Sequence, residues 1–184
     1  MTGRLTDAER DLITDLRMME STREPRPGYR YASAFGLLLD VGRLFTPRPW
    51  PGGPPPGELG ACYTESVLWA TESADGLAYV EGVAWQGLYP EEHAWCADTS
   101  GMVLDPTWPD LGTAYLGLPV EPSIALDLMR RHRDALLTYG PVTADWLRYG
   151  VPHEILVDIG RPVPPPPLPR ATPDGRPAEA ESVS

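Results

Sequence analysis

Lysine is missing altogether: all 15 cationic side chains are arginines, and 26 carboxylates outweigh them to leave a formal net charge of −11. A protein that binds nucleic acid regardless of sequence needs a cationic surface to neutralise phosphates and release counterions, so no nucleic-acid partner is expected. An anionic membrane surface is disfavoured on the same ground. Long apolar runs are lacking too, since no stretch approaches the run of about 18 apolar residues that marks a membrane span. The first ten residues, Met1 to Arg10, hold no apolar core of the signal-peptide kind. A soluble, cytoplasmic protein is the expectation. Cysteine is scarce, with Cys62 and Cys96 alone, and a reducing compartment would keep the two as free thiols.

Proline and glycine are in excess instead, at 23 and 18 of 184 residues. The surplus is local: Pro25 to Pro27, the run from Pro47 to Gly57, and the segment from Arg161 onward. Elsewhere the balance is globular, and a chain of this length predicts one domain at about 100 to 200 residues per domain. Residues 161 to 184 bury too little apolar surface to offset the entropy of ordering them and are expected as a disordered, polyproline-rich tail. Residues 1 to 160 are left as a single domain.

Thr6 followed by Glu9 reads as a capping box, and Leu5, Leu12, Ile13, Leu16 and Met19 recur at helical intervals, predicting a helix over residues 7 to 20. A second helix is expected over Tyr31 to Phe45, weakened by Gly36 and Gly42, and a third over Glu58 to Ala74 with Cys62 near its start. Leu77 to Trp85 holds strand formers, with Gly82 marking a bulge or a point of close approach. His93 to Ala97 and Met102 to Asp105 read as a hairpin turning at Asp98–Gly101. Thr113 to Val120 is another strand, Ser123 to Leu137 and Thr143 to Tyr149 are helices, and Glu154 to Ile159 is a last strand. Helices first and antiparallel strands second predict an α+β fold, with N-terminal helices packed on an antiparallel β-sheet.

The residues that carry chemistry converge on that hairpin. A thiol at a helix N-terminus feels unpaired N–H groups and the positive end of the helix dipole, which favour thiolate and make Cys62 a candidate nucleophile. A four-residue turn sets Asp105 opposite Ala94, and a three-residue turn sets it opposite His93. Either register brings Asp105 within one position of His93, near enough for an aspartate to orient an imidazole. Cys62 as nucleophile, His93 as base and Asp105 as orienting acid form a catalytic triad in chain order. Each has a structural alternative: a buried core cysteine, a strand histidine bonded to a carbonyl, a turn-former before Pro106. Trp95, Trp85, Tyr79 and Trp108 cluster nearby, either as core or around a substrate. Trp95, Glu81 and Trp108 are candidate substrate contacts, with Glu81 facing cleft or solvent. Arg130, Arg131 and Arg133 read as a solvated helix face.

Zinc is the competing chemistry, because Cys62, His93, Cys96 and Asp105 are all permissible ligands. On a regular strand, however, His93 and Cys96 point to opposite faces. There is no Cys-x-x-Cys pair, and His93-Ala94-Trp95 lacks the His-x-Glu of zinc deaminases. Neither metal nor cofactor is expected.

The blocks from Cys62 to Trp108 resemble the transglutaminase-like branch of the papain-like cysteine enzymes, and in particular small members from phages and actinobacteria. The resemblance rests on Cys62 at a helix start, Leu77-Ala78-Tyr79-Val80-Glu81-Gly82-Val83-Ala84, His93-Ala94-Trp95, and Val103-Leu104-Asp105-Pro106-Thr107-Trp108, with Tyr115-Leu116-Gly117 beyond. It covers about a quarter of the chain. It implies a papain/transglutaminase-like core and assigns nucleophile, base and orienting aspartate to Cys62, His93 and Asp105. Two departures stand out. Glu65 occupies a position where the resembled proteins carry Asn, and a carboxylate facing the thiol opposes thiolate formation. Gly57-Glu58-Leu59-Gly60-Ala61 offers no side-chain amide for an oxyanion, leaving the Cys62 backbone N–H. The expected function is thiol-dependent acyl transfer, as a protease, amidase or transglutaminase-like enzyme working through a Cys62 thioester on a peptide, amide or acyl substrate. The alternative is a catalytically inactive binding or interaction protein on the same fold.

Overall fold

In a computed structural model, described here for residues 4–138 and 140–166, the capping box opens the first helix as expected. The Thr6 hydroxyl accepts the Glu9 N–H at 3.1 Å and the Glu9 carboxylate accepts the Thr6 N–H at 2.9 Å, and α1 runs Asp7–Ser21. Ser33 caps α2, Ala34–Val41, through the N–H groups of Phe35 and Gly36. This helix is shorter than the predicted Tyr31 to Phe45. At Gly42 a Cβ would meet the Leu38 carbonyl oxygen at 2.3 Å, and the chain turns extended there to become strand β1, Arg43–Phe45. Pairing with a neighbouring strand wins over continuing the helix. The third helix, α3, spans Cys62–Glu72, so Cys62 is its first residue and the segment from Glu58 belongs to the preceding loop.

The sheet comprises β1, β2 (Ala78–Trp85), β3 (Pro90–Ala97), β4 (Val103–Leu104), β5 (Ala114–Val120) and β6 (Arg161–Pro162), in the order β4-β3-β2-β5-β1-β6 with every pair antiparallel. It curls on itself. Just beyond β1, the Thr46 N–H donates to the Gly101 carbonyl at 3.0 Å and the Thr46 carbonyl accepts the Val103 N–H at 2.9 Å, joining the far side of the sheet to the start of β4. The enclosed face is filled by Phe45, Val80, Ala84, Trp95, Val103 and Tyr115, with Trp95 edge-on to Phe45 at 5.8 Å and to Tyr115 at 5.0 Å. The other face, with Tyr79, Val83, Cys96, Leu116 and Leu118, receives the helices. Alternation along each strand therefore feeds two cores. Gly82 sits in a regular ladder opposite Gly117, and a Cβ on it would meet the Gly117 Cα at 2.4 Å. It marks close approach, with no bulge.

Among the described residues there are five α-helices, and the fold is α+β. Helix α4, Pro122–His132, starts at Glu121, whose carboxylate accepts the Ile124 N–H at 2.9 Å, and it stops where Arg133 turns left-handed at φ 56°. The predicted helix from Ser123 to Leu137 therefore ends early. Helix α5 spans Pro141–Tyr149. The strand expected over Glu154 to Ile159 is instead a 3-10 turn, His153–Ile155, followed by a single bridge from Leu156 to Val120. The reason is topological: β5 is already flanked by β2 and β1, so only its end is open to a newcomer.

The sheet also claims two residues beyond the expected domain limit of 160. β1 would otherwise be an open edge, and Arg161 pairs opposite Leu44 while its guanidinium bridges the Glu9 carboxylate on α1. Arg17 donates to the Pro164 carbonyl at 2.9 Å. The disorder expected for the rest of the tail, from residue 167, falls outside the described residues. No described helix is long and apolar enough to cross a membrane.

Candidate active site

Strand alternation sets His93 on the enclosed face, level with Gly82 of β2, where it is 1% exposed. Its Nε2 meets Asp105 Oδ2 at 2.6 Å. The turn that delivers Asp105 is longer than either predicted register allows. Asp98 Oδ1 accepts the Ser100 N–H at 2.9 Å, the Ser100 hydroxyl at 2.6 Å and the Met102 N–H at 3.1 Å, and Gly101 closes the loop at φ 79°. The ladder then pairs Ala97 with Val103 and Cys96 with Leu104. Continued, it sets Asp105 level with Trp95, neither Ala94 nor His93. Because the offset from His93 is two positions, both side chains stay on one face and meet on the diagonal.

The chain leaves β4 at Asp105, and the carboxylate organises the bend. Oδ1 accepts the Thr107 N–H at 3.0 Å, the Thr107 hydroxyl at 3.1 Å and the Trp108 N–H at 3.1 Å, while Tyr115 Oη lies 3.4 Å from Oδ2. Burial raises this carboxyl's proton affinity, but the His93 ring and the two N–H donors outweigh it and hold Asp105 below the usual carboxylate range. Asp105 is thus a turn-former and an imidazole partner at once.

Cys62 stands at the first position of α3, 9% exposed, and is close enough to His93 to raise the proton affinity of its ring. Asp105 occupies Nε2, which leaves Nδ1 as the ring nitrogen open to another partner. Burial pushes the ring's pKa down. The hydrogen bond and negative charge of Asp105, together with Cys62 nearby, push it the other way, up to about 9. Ala61 supplies no side-chain cap to α3, so the N–H groups of its first turn stay aimed at the sulfur end of the helix. The approach is also fixed from the loop side, where the Gly57 N–H donates to the Pro106 carbonyl at 2.7 Å. A Cβ on Gly57 would meet Glu65 Cγ at 3.2 Å, so Glu65 packs against this loop.

The three expected substrate contacts separate. Trp108 stacks on His93 with ring centres 4.0 Å apart and is half-buried at the rim. Trp95 lies beneath, 6.2 Å from His93 and fully buried between Phe45 and Tyr115, so it is core. Glu81 faces neither cleft nor solvent. It is 2% exposed on the helix-facing side of β2, where its carboxylate accepts the Leu136 N–H at 2.8 Å, the Leu137 N–H at 2.6 Å and the Tyr79 hydroxyl at 2.8 Å. Burial nevertheless pushes its pKa up to about 7. Cys96 also points away from His93, and burial pushes its thiol up to about 12. No group of three or more His, Cys, Asp or Glu suited to a metal ion occurs among the described residues.

Sequence reasoning missed Thr107, Tyr115 and Ser66. The Asp-Pro-Thr triplet of a side-chain-closed turn was the available signal for Thr107. For Tyr115 it was alternation with Gly117 on the enclosed face. No family model, curated protein or solved structure matches the chain.

Proposed function

We propose that the protein is a thiol-dependent acyl-transfer enzyme, acting on a peptide, amide or acyl substrate through a Cys62 thioester, with a papain/transglutaminase-like core. The observation that carries this reading is the buried His93–Asp105 pair, Nε2 to Oδ2 at 2.6 Å, with Cys62 at the start of α3 near enough to raise the ring's proton affinity. His93 Nδ1 takes the proton of Cys62, and the thiolate attacks the substrate carbonyl carbon to form a tetrahedral oxyanion. The Cys62 N–H, at the first position of the helix and so without an intrahelical partner, is a backbone donor available to that oxygen. As the intermediate collapses, the C–N or C–O bond breaks and the imidazolium returns its proton to the leaving group. Water or an amine then attacks the thioester, giving its proton to neutral His93 and expelling the thiolate. Asp105 holds the ring's tautomer and favours its cation throughout.

The test is acylation by p-nitrophenyl acetate, followed as nitrophenolate release and as acetyl mass on the Cys62 peptide. Wild type should acylate at Cys62, and Cys62→Ser and His93→Ala should not. Equal acetylation of wild type and His93→Ala would overturn the reading. One observation favours the alternative of an inactive interaction protein: Cys62 is only 9% exposed and Trp108 covers the adjacent imidazole. Failure of every acyl donor to reach Cys62 would decide for it.

A further inference from the structure

Ser66 lies one turn after Cys62 on α3, fully buried, and is bonded twice to the strand that carries His93. Its hydroxyl donates to the Ala94 carbonyl at 3.0 Å, and its own carbonyl accepts the Cys96 sulfhydryl at 3.2 Å. Ala94 and Cys96 are alternate residues on the helix-facing side of β3, and Ala94 adjoins His93 in sequence. Resting on the thiol reading above, we infer that Ser66 and Cys96 form a clasp that positions the nucleophile by fixing the register of α3 against β3.

The argument is one of direction. Val67 and Ala70 of α3 join the apolar core beneath the helix, and apolar contacts of that kind tolerate sliding. The helix start has no side-chain cap to locate it. Hydrogen bonds do not tolerate sliding: a shift of one helical rise, about 1.5 Å, breaks both bonds at Ser66. It would carry Cys62 the same distance from the imidazole, and a misplacement of about 1 Å can cost about a hundredfold in rate. β4 covers β3 only at Cys96 and Ala97, so the Ala94 carbonyl lies on a stretch of edge that no strand reaches. The serine satisfies that carbonyl and places the helix with the same bond. Cys96 is in this account a sulfhydryl donor, kept protonated by burial, with no reactive role.

The test compares Ser66→Ala, Cys96→Ala and Cys96→Ser with wild type and with Leu12→Ala, a buried change on α1 that leaves the Ser66 and Cys96 bonds intact and controls for loss of stability. The readouts are the thermal midpoint and the pH profile of Cys62 alkylation by iodoacetamide, mapped by peptide mass. A positioning role slows labelling of Cys62 in Ser66→Ala and Cys96→Ala about tenfold or more and changes the shape of its pH profile as His93→Ala does. Cys96→Ser, which keeps a donor, should restore much of the rate, and Leu12→Ala should lower the thermal midpoint without moving the profile. Where Ser66→Ala does not fold, the Ala and Ser variants at Cys96 carry the comparison. A wild type dependent on His93 together with clasp variants whose profiles match it overturns the clasp alone. A wild type whose profile is unchanged by His93→Ala overturns the thiol reading and the clasp with it.

Discussion

Asp105 and Glu81 are both buried carboxylates, each fed by two backbone N–H groups and approached by a tyrosine hydroxyl, yet their proton affinities move in opposite directions. The difference is a neighbour. Asp105 has the His93 ring at 2.6 Å, a group able to carry positive charge, whereas the donors around Glu81 are all neutral. Hydrogen bonds from neutral groups soften the cost of burying a charge, and an adjacent cation reverses it. One carboxylate thereby keeps its charge beside an imidazole, and the other fastens the loop that follows α4.

Removing the charge where it is compensated should have the largest effect. Asp105→Ala strands the His93 ring and the N–H groups of Thr107 and Trp108 in a buried site, and it should cost about 3 to 5 kcal/mol in denaturant unfolding. Second in size is the pH dependence of stability. Glu81 rises from 4.5 to about 7 on folding and His93 from 6.5 to about 9, so in both cases the folded chain holds its proton more tightly than the unfolded chain. Stability should therefore fall as pH rises from 4.5 toward 9, with Glu81 contributing up to about 3 kcal/mol of that fall below pH 7. Glu81→Gln should flatten the lower part of the curve and leave the upper part, and His93→Gln should do the reverse. Melts of both variants at closely spaced pH values check this, and an unchanged slope below pH 7 in Glu81→Gln would contradict it. Asp105 has the opposite sign: its stabilisation is lost as pH drops below the usual carboxylate range.

A milder change, Asp105→Asn, keeps size and one acceptor oxygen, enough for the bonds now made to Oδ1, and should cost about 1 to 2 kcal/mol. It should also lower the His93 pKa, readable by NMR, and slow Cys62 alkylation. If Asn leaves alkylation untouched while Ala only destabilises, Asp105 is a turn residue alone. The smallest effect is expected at a third carboxylate, Glu9, whose partner Arg161 is one-third exposed. Arg161→Ala should cost about 1 kcal/mol, because the Thr6 N–H still serves the Glu9 carboxylate and water replaces part of the guanidinium.

The contrast between the two carboxylates was half legible in the sequence. Asp105 could be joined to His93 because a hairpin fixes parity, and an error of one or two in register still left the two on one face or within one step. The true register depended on Asp98 folding its carboxylate over the turn, a local bond that residue types suggest and spacing does not specify. Glu81 was ambiguous because β2 is buried on both sides, so alternation carried no polar signal to say which side the carboxylate takes. The start of α1 was readable from its capping box. The end of α2 was not, because the competitor at Gly42 is a strand contributed by residues more than seventy positions away. Arg161–Pro162 looked like tail from composition, and only the open edge of β1 gives those residues a place.

The link between Arg161 and Glu9, with Arg17 reaching Pro164 alongside, brings the two ends of the described fold to the same edge. Topologically the domain is close to a ring. Joining residue 164 to residue 5 by a short linker and opening the chain at the exposed Asp75–Gly76 turn would preserve every strand pairing and the placement of Cys62, His93 and Asp105. Such a circular permutant would place α3 at the C-terminal end of the chain, so that on a ribosome the strand carrying His93 would emerge before the helix carrying Cys62, and the two residues would come together only at the last step of synthesis.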